Sequence, residues 1–273
     1  MSYLEDLFSV TGKKALVTGG SSGIGRMIAT ALVRGGANVM IVSRKADACE
    51  AVAAELNALD APGSAEGFAG DVGSEEGIAA LAAAVRERTD SLSILVNNAG
   101  NTWGEPIETF PYHAWGRVLG LNVAGLFTLT RDLLPLLDAA ASDDDPSRVI
   151  NLGSVMGSQP LAEGAYSYSA SKAAVHHLTR ILAGEFGARR ITVNAFAPGP
   201  FQSRMTAFAT TTEKQVEIVG EGVPIGRIGR PEDIEAATLY LCGKGGSYIT
   251  GAILPIDGGL SVEHGHGLFA AAL

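Results

Sequence analysis

A chain of 273 residues that is 47% hydrophobic and 18% charged carries enough apolar side chain for one large α/β domain or two small ones. Its formal net charge of −9 argues against a nucleic-acid backbone or an anionic membrane surface as the main partner. No apolar run approaches the ~18 residues of a membrane span, and the opening stretch MSYLEDLFSV has neither a basic nor an apolar targeting region, so a soluble, cytoplasmic protein is expected.

Taken in chain order, short β-rich runs alternate with longer stretches of helical period. The runs are KKALVT (13–18), NVMIVS (38–43), the weaker AEGFAG (65–70), SILVN (93–97), RVINLG (148–153), ITVNAF (191–196) and AILPI (252–256). Helices are predicted near 23–34, 46–59, 74–88, 112–137, 165–187 and 231–241. Strand and helix in unbroken alternation predict an α/β fold, a doubly wound parallel sheet with helices on both faces. No composition shift marks a second domain. The segment 198–228 is the least regular and is expected to be a long loop over the substrate. Cys49 and Cys242 fall in helical stretches without metal-ligand spacing and are expected to be buried free thiols.

Every polar or glycine-rich signal follows a strand. After the first comes Thr18-Gly19-Gly20-Ser21-Ser22-Gly23-Ile24-Gly25, which opens a helix. Glycines there let a pyrophosphate approach backbone N–H groups at the positive end of the helix dipole. After the second strand come Ser43, Arg44 and Lys45, where an NAD site usually has an acid for the ribose 2′-hydroxyl. A hydroxyl and two cations suit a 2′-phosphate instead, with Arg44 able to grip it bidentately. NADP(H) is therefore the expected cofactor. Asp71 and Val72, Asn97-Asn98-Ala99-Gly100, Ser154 and Ala197-Pro198-Gly199-Pro200-Phe201 follow the next four strands. Ligands of open parallel sheets bind outside these carboxyl ends, so the signals can share one crevice.

The stretch AYSYSASKAAVHHL (165–178) holds two tyrosines and a lysine on one predicted helix. Residues four apart share a helix face and residues six apart do not. Lys172 therefore pairs with Tyr168 and not with Tyr166.

Together these residues resemble the short-chain dehydrogenase/reductase family. The resemblance runs from about residue 11 to 259 on TGGSSGIG (18–25), NNAG (97–100), Asn122 in LNVAG, Ser154, YSASK (168–172), APG (197–199) and IDGG (256–259). It implies a single Rossmann-type domain, a nicotinamide cofactor and hydride transfer between that cofactor and a ketone or secondary alcohol. It also implies a catalytic set of Asn122, Ser154, Tyr168 and Lys172. Tyr168 would be the acid/base, Ser154 a donor to the developing oxyanion, and Asn122 the holder of a water near the lysine. A phenol working near pH 7–8 needs its pKa lowered by about 2–3 units. One cation about 4 Å away at an effective dielectric of 20 contributes about 4 kcal/mol before desolvation losses, so Lys172 is expected to lower Tyr168. The family lysine also holds the nicotinamide ribose. Carried over singly, Gly19, Ser21, Ser22, Gly23, Ile24, Ser43 and Arg44 would hold the phosphates. Asp71 would contact the adenine and Asn98 the adenine-side ribose, with Val72, Ala99 and Gly100 also among the cofactor-binding residues. Pro198, Gly199, Phe201 and Ser203 would form the nicotinamide site. Phe201 and Ser203 stand where the family usually has an aliphatic residue and a threonine.

Trp103, Met156, Gln159, Tyr166, Met205 and Phe208 are the candidate substrate residues, and they are mostly apolar. The stretches NNAGNTWG, DDDPSRVINLGSVMG and APGPFQSRM resemble the branch that holds the ketoacyl reductase of rhamnolipid biosynthesis. A 3-oxoacyl chain is the first substrate expectation, with a polyol or sugar-acid dehydrogenase and a hydroxysteroid dehydrogenase as alternatives. A non-catalytic dinucleotide sensor is the rival class, but it has no need of Ser154, Tyr168 and Lys172 together. Glu263, His264 and His266 are expected to be bare tail and not a metal site. Asp143, Asp144 and Asp145 are expected to be a solvated loop, and His176 and His177 to lie on the surface or at an interface. The small-residue face of helix 165–187 is expected to support a homotetramer or homodimer.

Overall fold

Runs of Val, Ile, Leu and Ala too short for helices form seven strands, since both faces of each central one can be buried. In the computed structural model, which describes residues 2–161 and 163–262, these are β1 (Lys14–Thr18), β2 (Asn38–Ser43), β3 (Ser64–Ala69), β4 (Ile94–Asn97), β5 (Ser147–Leu152), β6 (Ile191–Pro198) and β7 (Ile253–Ile256). They form one parallel sheet in the order β3-β2-β1-β4-β5-β6-β7. The order reverses between β1 and β4, and the crevice outside that switch point is where a doubly wound sheet takes its ligand.

The helices are α1 (Tyr3–Phe8), α2 (Gly23–Arg34), α3 (Ala46–Asn57), α4 (Glu75–Arg88), α5 (Tyr112–Leu119), α6 (Leu126–Ala140), α7 (Tyr166–Phe186), α8 (Ala207–Thr210), α9 (Glu213–Glu221) and α10 (Pro231–Cys242). One core layer packs α2, α3 and α10 on the sheet through Ile28, Leu32, Val52, Leu56, Ile234 and Leu241. The other packs α4, α6 and α7 through Leu81, Val85, Leu129, Leu133, Leu182 and Phe186. The doubly wound α/β fold expected from the alternation is the fold observed.

The differences have identifiable causes. The expected helix 112–137 is α5 and α6 joined by a π-helical segment, Gly120–Gly125, and it runs on to Ala140. The expected loop 198–228 contains α8 and α9, the latter started by a capping box in which the Thr212 hydroxyl and the Gln215 amide satisfy each other's backbone N–H. A similar box between Ser2 and Glu5 starts α1, which the sequence reading left out. Asp143–Asp145 is not merely solvated, for Asp143 pairs with Arg190 and Asp145 with both Lys13 and Arg148. Cys49 and Cys242 are buried free thiols. No helix among the described residues is long and apolar enough to cross a membrane. Glu263, His264 and His266 lie outside the described residues.

Candidate active site

The turn between β1 and α2 is built for close approach. Gly19 and Gly23 have φ of +65° and +54°, where a side chain would be strained. A Cβ on Gly25 would overlap the Asn98 amide and the Gly19 carbonyl, and one on Gly23 would meet Ser203 Cβ at 3.1 Å. Ser22 sits at the N-cap of α2 without a capping bond, and the first turn has no acidic residue. The positive end of α2 beside Ser21, Ser22, Gly23 and Ile24 thus carries no neutralising side chain, which fits an incoming pyrophosphate.

Ser21 Oγ donates to Ser43 Oγ at 3.1 Å, tying this turn to the end of β2. Ser43 also takes the Lys45 N–H at 3.3 Å and lies 3.1 Å from Cys49 Sγ. Arg44 is exposed at the same rim, and no carboxylate stands at the β2 end. The donor set suits a phosphate dianion better than a ribose diol.

At the end of β4, Thr18 Oγ1 takes the N–H groups of Asn98 and Ala99, both at 3.0 Å. Asn98 Nδ2 donates to the Thr18 carbonyl at 2.8 Å. One of the two N–H donors of that amide is thus spent on joining β1 and β4. Asp71 Oδ1 takes the Gly73 N–H at 3.0 Å, and Val72 is buried under the π-helical segment. On the far side, Gly199 follows Pro198 at the end of β6 so closely over Asp257 that a Cβ would meet its Cα at 2.9 Å. Phe201 turns its ring inward, 2% exposed over Gly229, and leaves only its main chain near the crevice. Its carbonyl accepts from Thr206 Oγ1 at 2.6 Å, and the Ser203 hydroxyl lies 3.1 Å from the same Thr206 oxygen.

The four expected catalytic side chains come together at this edge. Lys172 Nζ stands 5.5 Å from the centre of the Tyr168 ring, one helical turn away on α7. The same ammonium donates to the Leu152 carbonyl at 2.6 Å, leaving N–H donors for another partner. The Ser154 hydroxyl lies beside the Tyr168 phenol and accepts the Met156 N–H at 3.2 Å. Asn122 is buried in the π-helical segment, not turned to solvent. Its Nδ2 donates to the Asn101 carbonyl at 3.0 Å and Ser171 Oγ at 2.9 Å, and its Oδ1 takes the Asn101 N–H at 2.9 Å. A Cβ on Gly100 would lie 3.1 Å from that Oδ1 and 3.8 Å from Lys172 Nζ, so the glycine keeps this corner open.

The electrostatics correct one expectation. Tyr168 is raised here, not lowered. Burial pushes the phenol up, and the neighbouring Ser154 hydroxyl offsets this only in part. Burial also pushes Lys172 down to about 8. The protein's own groups therefore hold Tyr168 protonated near pH 7, poised to give a proton.

The expected substrate residues divide. Tyr166 packs edge-to-face on Phe110 at 5.2 Å between ring centres, a packing role, although it is only half-buried. Trp103 stands edge-to-face on His113 at 5.1 Å with the Arg117 guanidinium over its ring, and its buried indole N–H has no partner among the described residues. Gln159 Nε2 donates to the Ser261 carbonyl at 2.9 Å, so it clasps the C-terminal segment. Met156 is half-buried beside Ser154, while Met205 and Phe208 are exposed, Phe208 at 85%. Two contributors lie outside the expected site residues. Asn101, directly after the NNAG run, brackets Asn122. His176 is buried beside Ser154, contrary to the expected surface or interface placement.

A family model described as Enoyl-(Acyl carrier protein) reductase matches residues 19–261. The chain is 46% identical over 252 residues to the rhamnolipids biosynthesis 3-oxoacyl-[acyl-carrier-protein] reductase of Pseudomonas aeruginosa, covering 92% of this chain and 97% of that protein. It is 38% identical over 260 residues to the galactitol 2-dehydrogenase (L-tagatose-forming) of Cereibacter sphaeroides, covering 94% and 98%. Among solved structures, the RhlG/NADP active-site complex of Pseudomonas aeruginosa superimposes with a TM-score of 0.89 at 45% identity, covering 94% of this chain and 99% of that one.

Proposed function

The chain belongs to the short-chain dehydrogenase/reductase family, NAD(P)-dependent oxidoreductases, and from that premise we propose that it is an NADP(H)-dependent reductase of hydrophobic ketones, 3-oxoacyl thioesters above all. The observation that carries this reading is the juxtaposition of Ser154, Tyr168 and Lys172 beside a glycine turn whose helix end is uncapped.

A reduced nicotinamide supplies hydride to the carbonyl carbon when bound. Gly19, Ser21, Ser22, Gly23 and Ile24 would hold its pyrophosphate, Ser43 and Arg44 the 2′-phosphate, and Lys172, Pro198, Gly199, Phe201 and Ser203 the nicotinamide side. Asp71, Val72, Asn98, Ala99 and Gly100 would line the adenosine side. The Ser154 and Tyr168 hydroxyls, side by side, can meet one carbonyl oxygen together. Ser154 steadies the charge that develops there and Tyr168 gives it a proton. The phenolate left behind faces the Lys172 ammonium and regains its proton from solvent past Asn122. A site that holds its phenol protonated suits reduction.

The apolar rim supports the substrate class. Ile107, Leu161, Met205 and Phe208 are exposed on the three segments that follow β4, β5 and β6. Two of these segments touch, Glu105 N–H donating to the Gly164 carbonyl at 3.2 Å. An acyl chain gains from such a rim, whereas a polyol finds few partners there. The test mixes the protein with NADPH and follows nicotinamide absorbance on 3-oxoacyl thioesters of growing chain length and on polyhydroxy ketones. Rising kcat/KM with chain length is expected. NADPH should bind about tenfold or more tighter than NADH, a margin that Arg44→Ala removes. Preference for polyhydroxy ketones, or equal affinity for the two cofactors, overturns the reading. The same proposal includes a homotetramer or homodimer joined through the exposed stripe of Ala173, His177, Ile181 and Gly184 on α7. Light scattering at micromolar concentration is expected to find no monomer.

A further inference from the structure

His176 lies one helical turn beyond Lys172 on α7 and is 4% exposed. Its ring fills the space behind the turn that carries Ser154. A Cβ on Gly153 would overlap Nε2, and one on Gly157 would meet Cε1 at 2.7 Å. The Ser154 backbone N–H points at Nε2 over 3.4 Å, and Nδ1 lies 3.3 Å from the Ser158 hydroxyl. A backbone N–H can only donate, so Nε2 is the acceptor and the ring proton sits on Nδ1, which donates to Ser158 Oγ. The ring therefore spans the turn 154–158 from its first residue to its last.

We propose that His176 is a positioning residue that fixes the Ser154 hydroxyl against Tyr168 by pinning both ends of this turn as a neutral, Nδ1-protonated imidazole. The turn needs such a brace. Ser154 Oγ takes only the Met156 N–H within the turn, and without the ring the two glycines leave the backbone free to shift. A hydroxyl displaced by about an ångström no longer reaches the oxygen that Tyr168 protonates. The imidazole also stays uncharged. The charged groups acting on it, Arg180 and Lys172, both lie on α7 and join burial in holding its pKa to about 4. The turn (GSVMGS, 153–158) and β6 present only neutral side chains. The proton that would destroy the acceptor is thus excluded throughout the working range.

The inference rests on the reductase reading for its kinetic test but not for its spectroscopic one. In protein labelled with ¹⁵N-histidine, NMR is expected to find His176 neutral with the proton on Nδ1 from about pH 6 upward. A ring protonated on Nε2, or a cationic one, overturns the proposal whatever the substrate proves to be. In His176→Leu, kcat for acetoacetyl thioester reduction is expected to fall about tenfold or more, with KM and NADPH affinity within about twofold. His176→Gln, whose Oε1 can take the Ser154 N–H, is expected to restore most of that loss. A folded His176→Leu with wild-type kcat and pH profile, or equal losses in the Leu and Gln variants, refutes the positioning role. Should the Leu variant not fold, Ser158→Ala serves, with an expected loss of about threefold and a mixed tautomer. An unchanged tautomer and rate there count against the proposal.

Discussion

At the residue scale the site turns on which groups hold protons. Tyr168→Phe removes the hydroxyl of the ring that stands beside Ser154 and Lys172 and is expected to lower kcat about 10³-fold, while NADPH affinity, read by fluorescence, stays unchanged. Tyr166→Phe, whose ring packs on Phe110, is expected to stay within about threefold. Equal losses in the two variants would move the chemistry off Tyr168. The lysine sets the pH dependence. Its pKa is depressed to about 8, so the ammonium is present below that value and lost as pH rises through it. Tyr168, pushed up, remains a phenol over the same range. The kcat/KM for ketone reduction, which reports the free enzyme, is expected to be level near pH 7 and to fall above about pH 8. A profile level to about pH 10 would show that the ammonium is not required. The Tyr168–Lys172 pairing was legible in the sequence because helical spacing alone sets it. The direction of the Tyr168 shift was not, since burial belongs to the fold and competes with the nearby cation. His176 was hidden for a related reason. In an alanine-rich helix it reads as surface, and the room for its ring comes from Gly153 and Gly157 some 20 residues upstream.

At the element scale, strands and most helices were legible because parallel strands buried on both faces leave unbroken apolar runs between glycine turns. The π-helical segment was not. Its apolar spacing continues the helical period, and the extra residue is set by packing, for Gly125 lies against the carbonyl of Val72 just beyond β3. Such bulges cluster at functional sites, and this one holds Asn122 with its amide toward Ser171 and Asn101. Gly125→Ala places a methyl against backbone that cannot yield cheaply. A loss of about 2 kcal/mol in denaturant unfolding is expected, together with weaker NADPH binding, because Val72 is pushed toward the adenosine side. Destabilisation with cofactor affinity intact would mean that the segment serves the fold alone. A capped α9 inside the expected loop was detectable in principle, as Thr212-x-x-Gln215 is a start signal.

At the scale of the whole molecule, the two edges of the sheet do different work. Chemistry gathers at the carboxyl ends of the strands, while a partly buried ionic cluster holds the amino ends. Arg148, fully buried at the start of β5, donates to the carbonyls of Pro146, Leu241 and Gly243 and pairs with Asp145 at 3.2 Å. Lys13, just before β1, reaches the same carboxylate at 2.5 Å. The cluster thus pins the end of α10 and the chain entering two strands. Cys242 beside it, pushed up to about 12 by burial, stays an unreactive thiol. Arg148 stands six positions before Ser154 along strand and turn, about 20 Å at the usual rise. Asp145→Ala leaves two cations without their carboxylate. Breaking a fully buried pair costs about 3–5 kcal/mol, but Asp145 is half exposed, so solvent reduces the expected loss to about 1–3 kcal/mol. That loss should appear in urea unfolding, with kcat and NADPH affinity unchanged under native conditions. If kcat instead falls along with stability, the amino edge is not an independent anchor, and strain there reaches Ser154 through β5.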